Sequence, residues 1–188
     1  VTDAEIVQRI RTGDPEGFPE MVRRYSGELY SLACSLVGNA ADAEDVLQLA
    51  FVGALRGIER FQGRSSLRTW LYSIVANQAS KVRRSKKVRR ALSLDQPVGG
   101  EHGDGRVGIP DGVPHTRSPA PAVDGRLDVA VMLETLSPEH RDVIVLRELQ
   151  QLSYDEIAET LGIPRGTVES RLFRARRALK ERFSPETV

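Results

Sequence analysis

Cysteine is almost missing. Cys34 is the single one in 188 residues and lies in the apolar stretch LYSLACSLV, so no disulfide within the chain supports the fold. The pattern around it reads as a buried helix position. Three scattered histidines have no metal-ligand spacing, so neither a metal nor another cofactor is expected. No run of eighteen apolar residues occurs, which excludes a membrane-spanning helix. The first ten residues lack the charged-then-apolar order of a signal peptide, and the sequence therefore predicts a cytoplasmic protein. A GxxxxGK[ST] phosphate loop and a dinucleotide fingerprint are both missing. No positioned nucleophile or paired histidine stands near the carboxylates, so no catalytic residue is assigned and the chain is not expected to be an enzyme. What remains is 40% hydrophobic residues, ordinary for a protein that buries helical cores.

A net charge of +1 conceals a strong pattern. Residues 1–90 carry 15 basic against 10 acidic groups, with seven of the basic ones between Lys81 and Arg90. Residues 127–160 carry 2 basic and 8 acidic groups, whereas residues 161–188 carry 7 basic and 3 acidic. Two basic regions separated by acidic surface predict two landing places for a polyanion, because phosphate affinity follows local charge.

The periodicities predict an all-α protein of two small helical domains joined by a flexible linker, the second domain containing a helix-turn-helix. In residues 1–90, Thr2 and Glu5 form a capping box before Ile6, Val7 and Ile10, and Asp14-Pro15-Glu16 supplies a cap and first-turn proline for the next helix. That helix is expected to stop at Gly38-Asn39, with a third beginning near Asp42 and a fourth following the turn from Phe61 to Ser66. Leu67, Trp70, Leu71, Ile74 and Val75 are the fourth helix's expected inward residues. Residues 91–126 hold five prolines and many glycines without any apolar period, the composition of a tether. In residues 127–188, Ser137-Pro138 caps one helix, Ser153 and Glu156 make a second capping box, and Gly162 to Pro164 forms a corner.

The stretch LGIPRGTVESRLFRARRALKERF then repeats Val168, Leu172, Ala175, Leu179 and Phe183 at intervals of four, three, four and four, an inward face. Thr167, Ser170, Arg171, Arg174 and Arg177 fall opposite. A capped helix, a short turn and a second helix bearing hydroxyl and guanidinium groups is the pattern of a helix-turn-helix that places its second helix in a DNA major groove. An acid there, Glu169, must accept from cytosine, pair with an arginine or turn away. In the first domain Arg64, Arg68, Lys81, Arg83, Arg84, Lys86 and Lys87 accompany Phe61, Trp70, Tyr72 and Asn77, a mixture suited to unpaired bases. In the cluster Asp42, Glu44, Asp45 and Gln48, the three carboxylates read most simply as groups near a helix start that oppose its dipole.

Two stretches, DAEDVLQLAFVGALRGIERFQGRSSLRTWLYSIVANQASKVRR and LSPEHRDVIVLRELQQLSYDEIAETLGIPRGTVESRLFRARRALKERF, resemble the second-region and fourth-region domains of the extracytoplasmic-function (ECF, group 4) bacterial sigma factors of the sigma-70 family. The resemblance implies that Asp42, Glu44, Asp45, Val46, Gln48 and Phe51 belong to a helix set against core RNA polymerase. It implies contact with the minus-ten element for Phe61, Gln62, Gly63, Arg64, Ser65, Ser66, Arg68, Trp70, Asn77, Lys81, Arg83 and Arg84. Arg165, Thr167, Glu169, Ser170, Arg171, Arg174 and Arg177 would read the minus-thirty-five duplex. Glu139, Asp142 and Glu148 would face the polymerase flap or a regulator. The pattern departs at Ser80-Lys81, where family members often carry Ile-Asp, and in a longer tether.

The expected function is thus a sigma factor that binds core polymerase, recognises promoter DNA and supports strand opening, with a cognate anti-sigma factor as a further partner. The alternative is a stand-alone helix-turn-helix regulator of duplex DNA. A nuclease using the carboxylates of residues 42–45 and a purely structural adaptor are more distant rivals.

Overall fold

The computed structural model describes residues 1–94 and 123–183, and all regular structure among them is helical. Most of the expected tether falls outside the described residues. Helix α1 (Asp3–Arg11) starts at Thr2, whose hydroxyl accepts the Glu5 N–H while the Glu5 carboxylate accepts the Thr2 N–H at 2.6 Å. Two free amides of the first turn are satisfied by side chains three residues apart, worth about 1 kcal/mol for such a cap. Helix α2 (Gly17–Val37) does not use Asp14 as its cap as expected. Asp14 instead accepts from the Glu16 N–H at 2.9 Å and pairs with Arg9 at 2.7 Å, so its carboxylate ties the α1–α2 turn together. The helix ends at Gly38 with φ 84°, as the Gly-Asn pair predicts. Helix α3 (Ala40–Gly57) is capped by Asn39, which accepts the Asp42 N–H at 2.9 Å, two residues earlier than the expected start.

Helix α4 (Leu67–Leu94) begins after the 61–66 turn and runs past the limit of 90 set by the apolar pattern. Arginine and lysine are good helix formers, so the basic run continues the helix without a core to face. The second domain comprises α5 (Val123–Glu134), α6 (Pro138–Ile144), α7 (Tyr154–Leu161) and α8 (Arg165–Phe183). Ser137 and Ser153 cap α6 and α7 as the sequence predicts, the latter with Glu156 in a capping box. Between them, residues Val145–Leu149 form a wide helical turn, followed by Gln151 at φ 57°.

The first core lies among α2, α3 and α4, where Leu29, Leu32, Leu36, Val46, Leu71 and Val75 are fully or almost fully buried. The second gathers Val143, Leu146, Ile157, Val168, Leu172 and Ala175 from α6, α7 and α8. Phe183, expected inward, is 37% exposed, because α8 outruns the helices it packs on. The two domains also touch, chiefly through α4 against α7. A second buried line on α4, Thr69, Tyr72, Ala76 and Ala79, accompanies that contact. Its small and polar members carry almost no hydropathy signal.

Candidate nucleic-acid interfaces

Three surfaces arise from these elements. On α3 the helical repeat splits the acidic cluster. Asp42, Val46 and Phe51 are buried, whereas Glu44, Asp45 and Gln48 reach solvent beside Leu49, Val52 and Leu55. Phe51 sits edge-on to Phe18 with ring centroids 6.2 Å apart, so its contact is with the core. Asp42 accepts from Lys86 at 2.5 Å and from the Asn39 amide at 2.6 Å. Burial works to raise the Asp42 carboxyl, but the Lys86 and Asn39 bonds outweigh it and hold the group below the usual carboxylate range. Its charge is therefore used inside the domain, tying α3 to α4. Leu49, Val52 and Leu55 are 48%, 44% and 47% exposed, an apolar strip beside two carboxylates. The expected polymerase-facing set lacks these three, and Leu55, grouped by its spacing with Val46, Leu47, Ala50 and Ala54 on the packed face, instead lies with Leu49 and Val52 on the open one.

The second surface begins at the 61–66 turn. Phe61 and Trp70 stack at 5.0 Å with their rings inclined by 41°, and both remain partly exposed. Gly57 makes this possible: a Cβ there would meet the Trp70 ring at 3.2 Å. Arg11 donates to the Ile58 carbonyl at 3.0 Å and also to the Phe61 carbonyl, holding the start of the turn from across the domain. Neither Arg11 nor Gly57 was in the expected set, since both act over tens of residues. Ser66 has a local duty, accepting the Thr69 N–H at 3.0 Å as the cap of α4. Gln62, Gly63 and Arg64 project into solvent, with Gly63 at φ 67°.

Trp70, Asn77, Lys81 and Arg84 recur along one side of α4, and the last three are exposed. Arg64, Lys81 and Arg84 form no ion pair among the described residues. Their charge is available to a phosphate backbone. Arg68 and Arg83 differ, because both point toward the other domain. Arg68 pairs with Glu28 at 2.5 Å and Arg83 with Asp142 at 2.8 Å. The expected minus-ten set thus divides into an open edge and a covered one.

The third surface is α8. Ser170, Arg174 and Arg177 are exposed and Thr167 and Arg171 are half-exposed, opposite the buried Val168, Leu172 and Ala175. Gly162, at φ 63°, turns the chain between α7 and α8. Glu169 takes the pairing option: Arg165 donates to it at 3.1 Å and to Asp155 at 2.9 Å. Those bonds, Glu169 first, raise the affinity of the Arg165 guanidinium for its proton. Arg177 pairs with Glu181 at 2.7 Å, while Arg171 and Arg174 have no ion pair among the described residues. Phe173 is 69% exposed and lies one turn from both Ser170 and Arg177 on the same side. Sequence reading had no place for it, since a large apolar group on a polar helix face is legible only once that face is known to be uncovered. No group of ligating side chains suited to a metal ion occurs among the described residues. No described helix is long and apolar enough to cross a membrane.

Comparison with known proteins matches this division. Residues 21–89 match the family model of Sigma-70 region 2, and residues 126–179 match that of Sigma-70, region 4. The chain is 34% identical to the ECF RNA polymerase sigma-E factor of Escherichia coli strain K12, over 98% of this chain and 96% of that protein. It is 32% identical to the RNA polymerase sigma-H factor of Pseudomonas aeruginosa, over 97% of this chain and 94% of that one. The fold resembles that of CnrH, solved in complex with the cytosolic domain of CnrY, with a TM-score of 0.66 at 24% identity over 98% of this chain and 99% of the other. It also resembles the sigma factor RpoE solved with the anti-sigma factor NepR from Bartonella quintana, with a TM-score of 0.63 at 24% identity over 89% and 98% of the two chains. Two helical domains in this order, a helix-turn-helix in the second and near-complete alignment with curated relatives place the chain in the extracytoplasmic-function group of the sigma-70 family of RNA polymerase sigma factors.

Proposed function

We propose that the chain reads two forms of DNA with two separate surfaces while bound to core RNA polymerase. The outward strip of α3, Glu44, Asp45, Gln48, Leu49, Val52 and Leu55, is the polymerase-facing surface. Asp42, Val46 and Phe51 act there from beneath, by fixing the helix. The α8 edge bearing Thr167, Ser170, Arg171 and Arg174 enters the major groove of the minus-thirty-five duplex. Phe61, Gln62, Gly63, Arg64 and Trp70 receive an unstacked base of the minus-ten strand, with Asn77, Lys81 and Arg84 along its backbone.

The observation that carries this reading is the pairing of partly exposed aromatics with cations that have no ion pair among the described residues at the 61–84 surface, alongside a helix-turn-helix on the other domain. A duplex reader has no need of the first. Aromatic stacking is worth about 1–3 kcal/mol per unpaired base, enough to offset unstacking it. Chemistry on nucleotides stays with the polymerase, and no residue of this chain is given a catalytic role. The proposal includes a cognate anti-sigma protein that competes for the same surfaces.

Transcription by core polymerase on a library of genomic fragments, with start sites mapped, tests the reading. Addition of the chain is expected to create a discrete new set of starts sharing upstream and downstream elements. A chain that binds duplex promoters tightly by itself and leaves polymerase start sites unchanged would instead be a stand-alone regulator.

A further inference from the structure

Helix α3 ends without the glycine closure that stops α2. Gly57 has φ −94°, the chain continues through one tighter turn, Ile58–Arg60, and Phe61 is then extended at φ −67° and ψ 114°. No residue from 57 to 62 is left-handed, so the cap that commonly sets the exit direction of a helix is missing here. Arg11 takes its place from α1. Its Nε and Nη2 donate to the Ile58 carbonyl at 3.2 and 3.0 Å, and Nη2 also donates to the Phe61 carbonyl. A guanidinium suits that position, because it satisfies free carbonyls and opposes the negative end of the helix dipole. The end of α1 is itself fixed. Ile6 and Val7 are buried in the first core, Arg9 pairs with Asp14 at 2.7 Å, and a Cβ on Gly17 would lie 2.7 Å from the Ile10 nitrogen. Packing of α1 therefore aims Arg11 at the turn, and among the described residues no carboxylate pairs with it.

We infer that Arg11 is a positioning residue for strand capture, and that α1 is thereby part of the apparatus that receives the unstacked base. The inference rests on the reading of the 61–66 turn given above and extends it to a helix that precedes the region 2 match at residues 21–89. Both carbonyls that Arg11 holds lie at the approach to the aromatic platform. Phe61 carries the ring that stacks on Trp70, and its carbonyl belongs to the peptide leading into Gln62 and Gly63. With that peptide fixed, the exposed residues 62–64 project from a set origin, and less freedom is lost when a base arrives. Charge alone does not do this. A lysine would keep the cation, but one ammonium on a flexible stem lacks the planar fork that spans two carbonyls.

Holoenzymes carrying the unsubstituted full chain, Arg11→Ala or Arg11→Lys test this on a promoter found by start-site mapping, either fully paired or with a premelted bubble. Arg11→Ala is expected to open the paired promoter about tenfold more slowly, within the range that stacking of one base supplies, and to come within about twofold on the bubble. Arg11→Lys should fall between, about threefold slow on the paired template. Protection of the upstream duplex should be the same in all three. In the free chain, Trp70 is the single tryptophan, so its fluorescence reports the platform directly. Arg11→Ala should make that fluorescence more readily quenched by acrylamide, with unfolding in urea still cooperative. Unchanged quenching, or equal slowing on both templates, overturns the positioning role. Full activity of Arg11→Lys beside a slow Arg11→Ala overturns it too, since the cation would then act on DNA phosphate and not on the two carbonyls. Failure of the unsubstituted chain to direct any opening counts against the two-surface reading instead, and the Trp70 comparison still decides whether Arg11 holds the turn.

Discussion

Arg171 and Arg174 differ from Arg165 in what already holds them. Arg165 is bound by Asp155 and Glu169, whereas the other two have no carboxylate partner among the described residues and are free to exchange water for DNA. An arginine that bridges a base edge contributes about 1–3 kcal/mol of recognition. Arg171→Ala and Arg174→Ala are therefore each expected to weaken holoenzyme protection of the upstream duplex by at least about fivefold, with polymerase affinity unchanged. Arg165→Ala should do less, because its guanidinium must first leave two carboxylates. Footprinting of the three holoenzymes ranks them, and an Arg165 effect exceeding both others would contradict the assignment.

Asp42 supplies a prediction in pH. Its folded carboxyl is held below the ordinary value, so the stabilisation is present above the unfolded pKa near ~3.9 and is lost as pH falls through the folded one. Urea midpoints should fall as pH drops below about 4 in the unsubstituted chain. Asp42→Asn should be less stable at pH 7 and should show a shallower acid decline. An unchanged midpoint at pH 7 would mean that the Lys86 contact contributes nothing.

At the scale of the element, the strip of α3 proposed to face polymerase is exposed, whereas Val46, Ala50, Phe51 and Ala54 are buried. Leu49→Asp with Val52→Asp is expected to abolish polymerase binding while leaving the thermal midpoint nearly unchanged. Phe51→Ala, by contrast, removes a core ring and should cost about 3–5 kcal/mol, read by urea denaturation. Loss of stability in the double Asp variant would place that strip in the fold instead. The turn between α7 and α8 makes a second test. Gly162 stands at φ 63° with open space where a Cβ would be, so strain and not crowding opposes a side chain. Gly162→Ala should lower stability by about 1 kcal/mol.

What was legible at this scale was local. The capping boxes at Thr2 and Ser153 and the stop at Gly38 each depend on residues within four positions, and the structure has all three. The start of α2 was misread because Asp14 had a competing partner in Arg9. The buried line through Thr69, Ala76 and Ala79 was invisible because its reason for burial is a domain that lies far along the chain. Arg11 beneath the 61–66 turn and Gly57 beneath Trp70 escaped for the same reason.

Across the whole molecule, the two-domain all-helical architecture followed from periodicity, and the charge pattern anticipated two basic surfaces. The contact between the domains did not follow, since the resemblance assigns Arg83 to the minus-ten element and Asp142 to the polymerase flap or a regulator, whereas the two pair with each other. Burial works against the charge on Asp142 more strongly than Arg83 and Arg141 support it, and its carboxyl is pushed above the usual range.

The central claim is that one surface docks on paired DNA and the other acts once the strands part. Open-complex formation by holoenzymes carrying Arg64→Ala with Gln62→Ala, or Arg171→Ala with Arg174→Ala, compares them directly on a fully paired promoter and on the same promoter with a premelted bubble. The first variant is expected to be slow on the paired template and largely restored on the bubble, whereas the second should be impaired on both. Equal impairment of the first variant on the two templates would contradict the account.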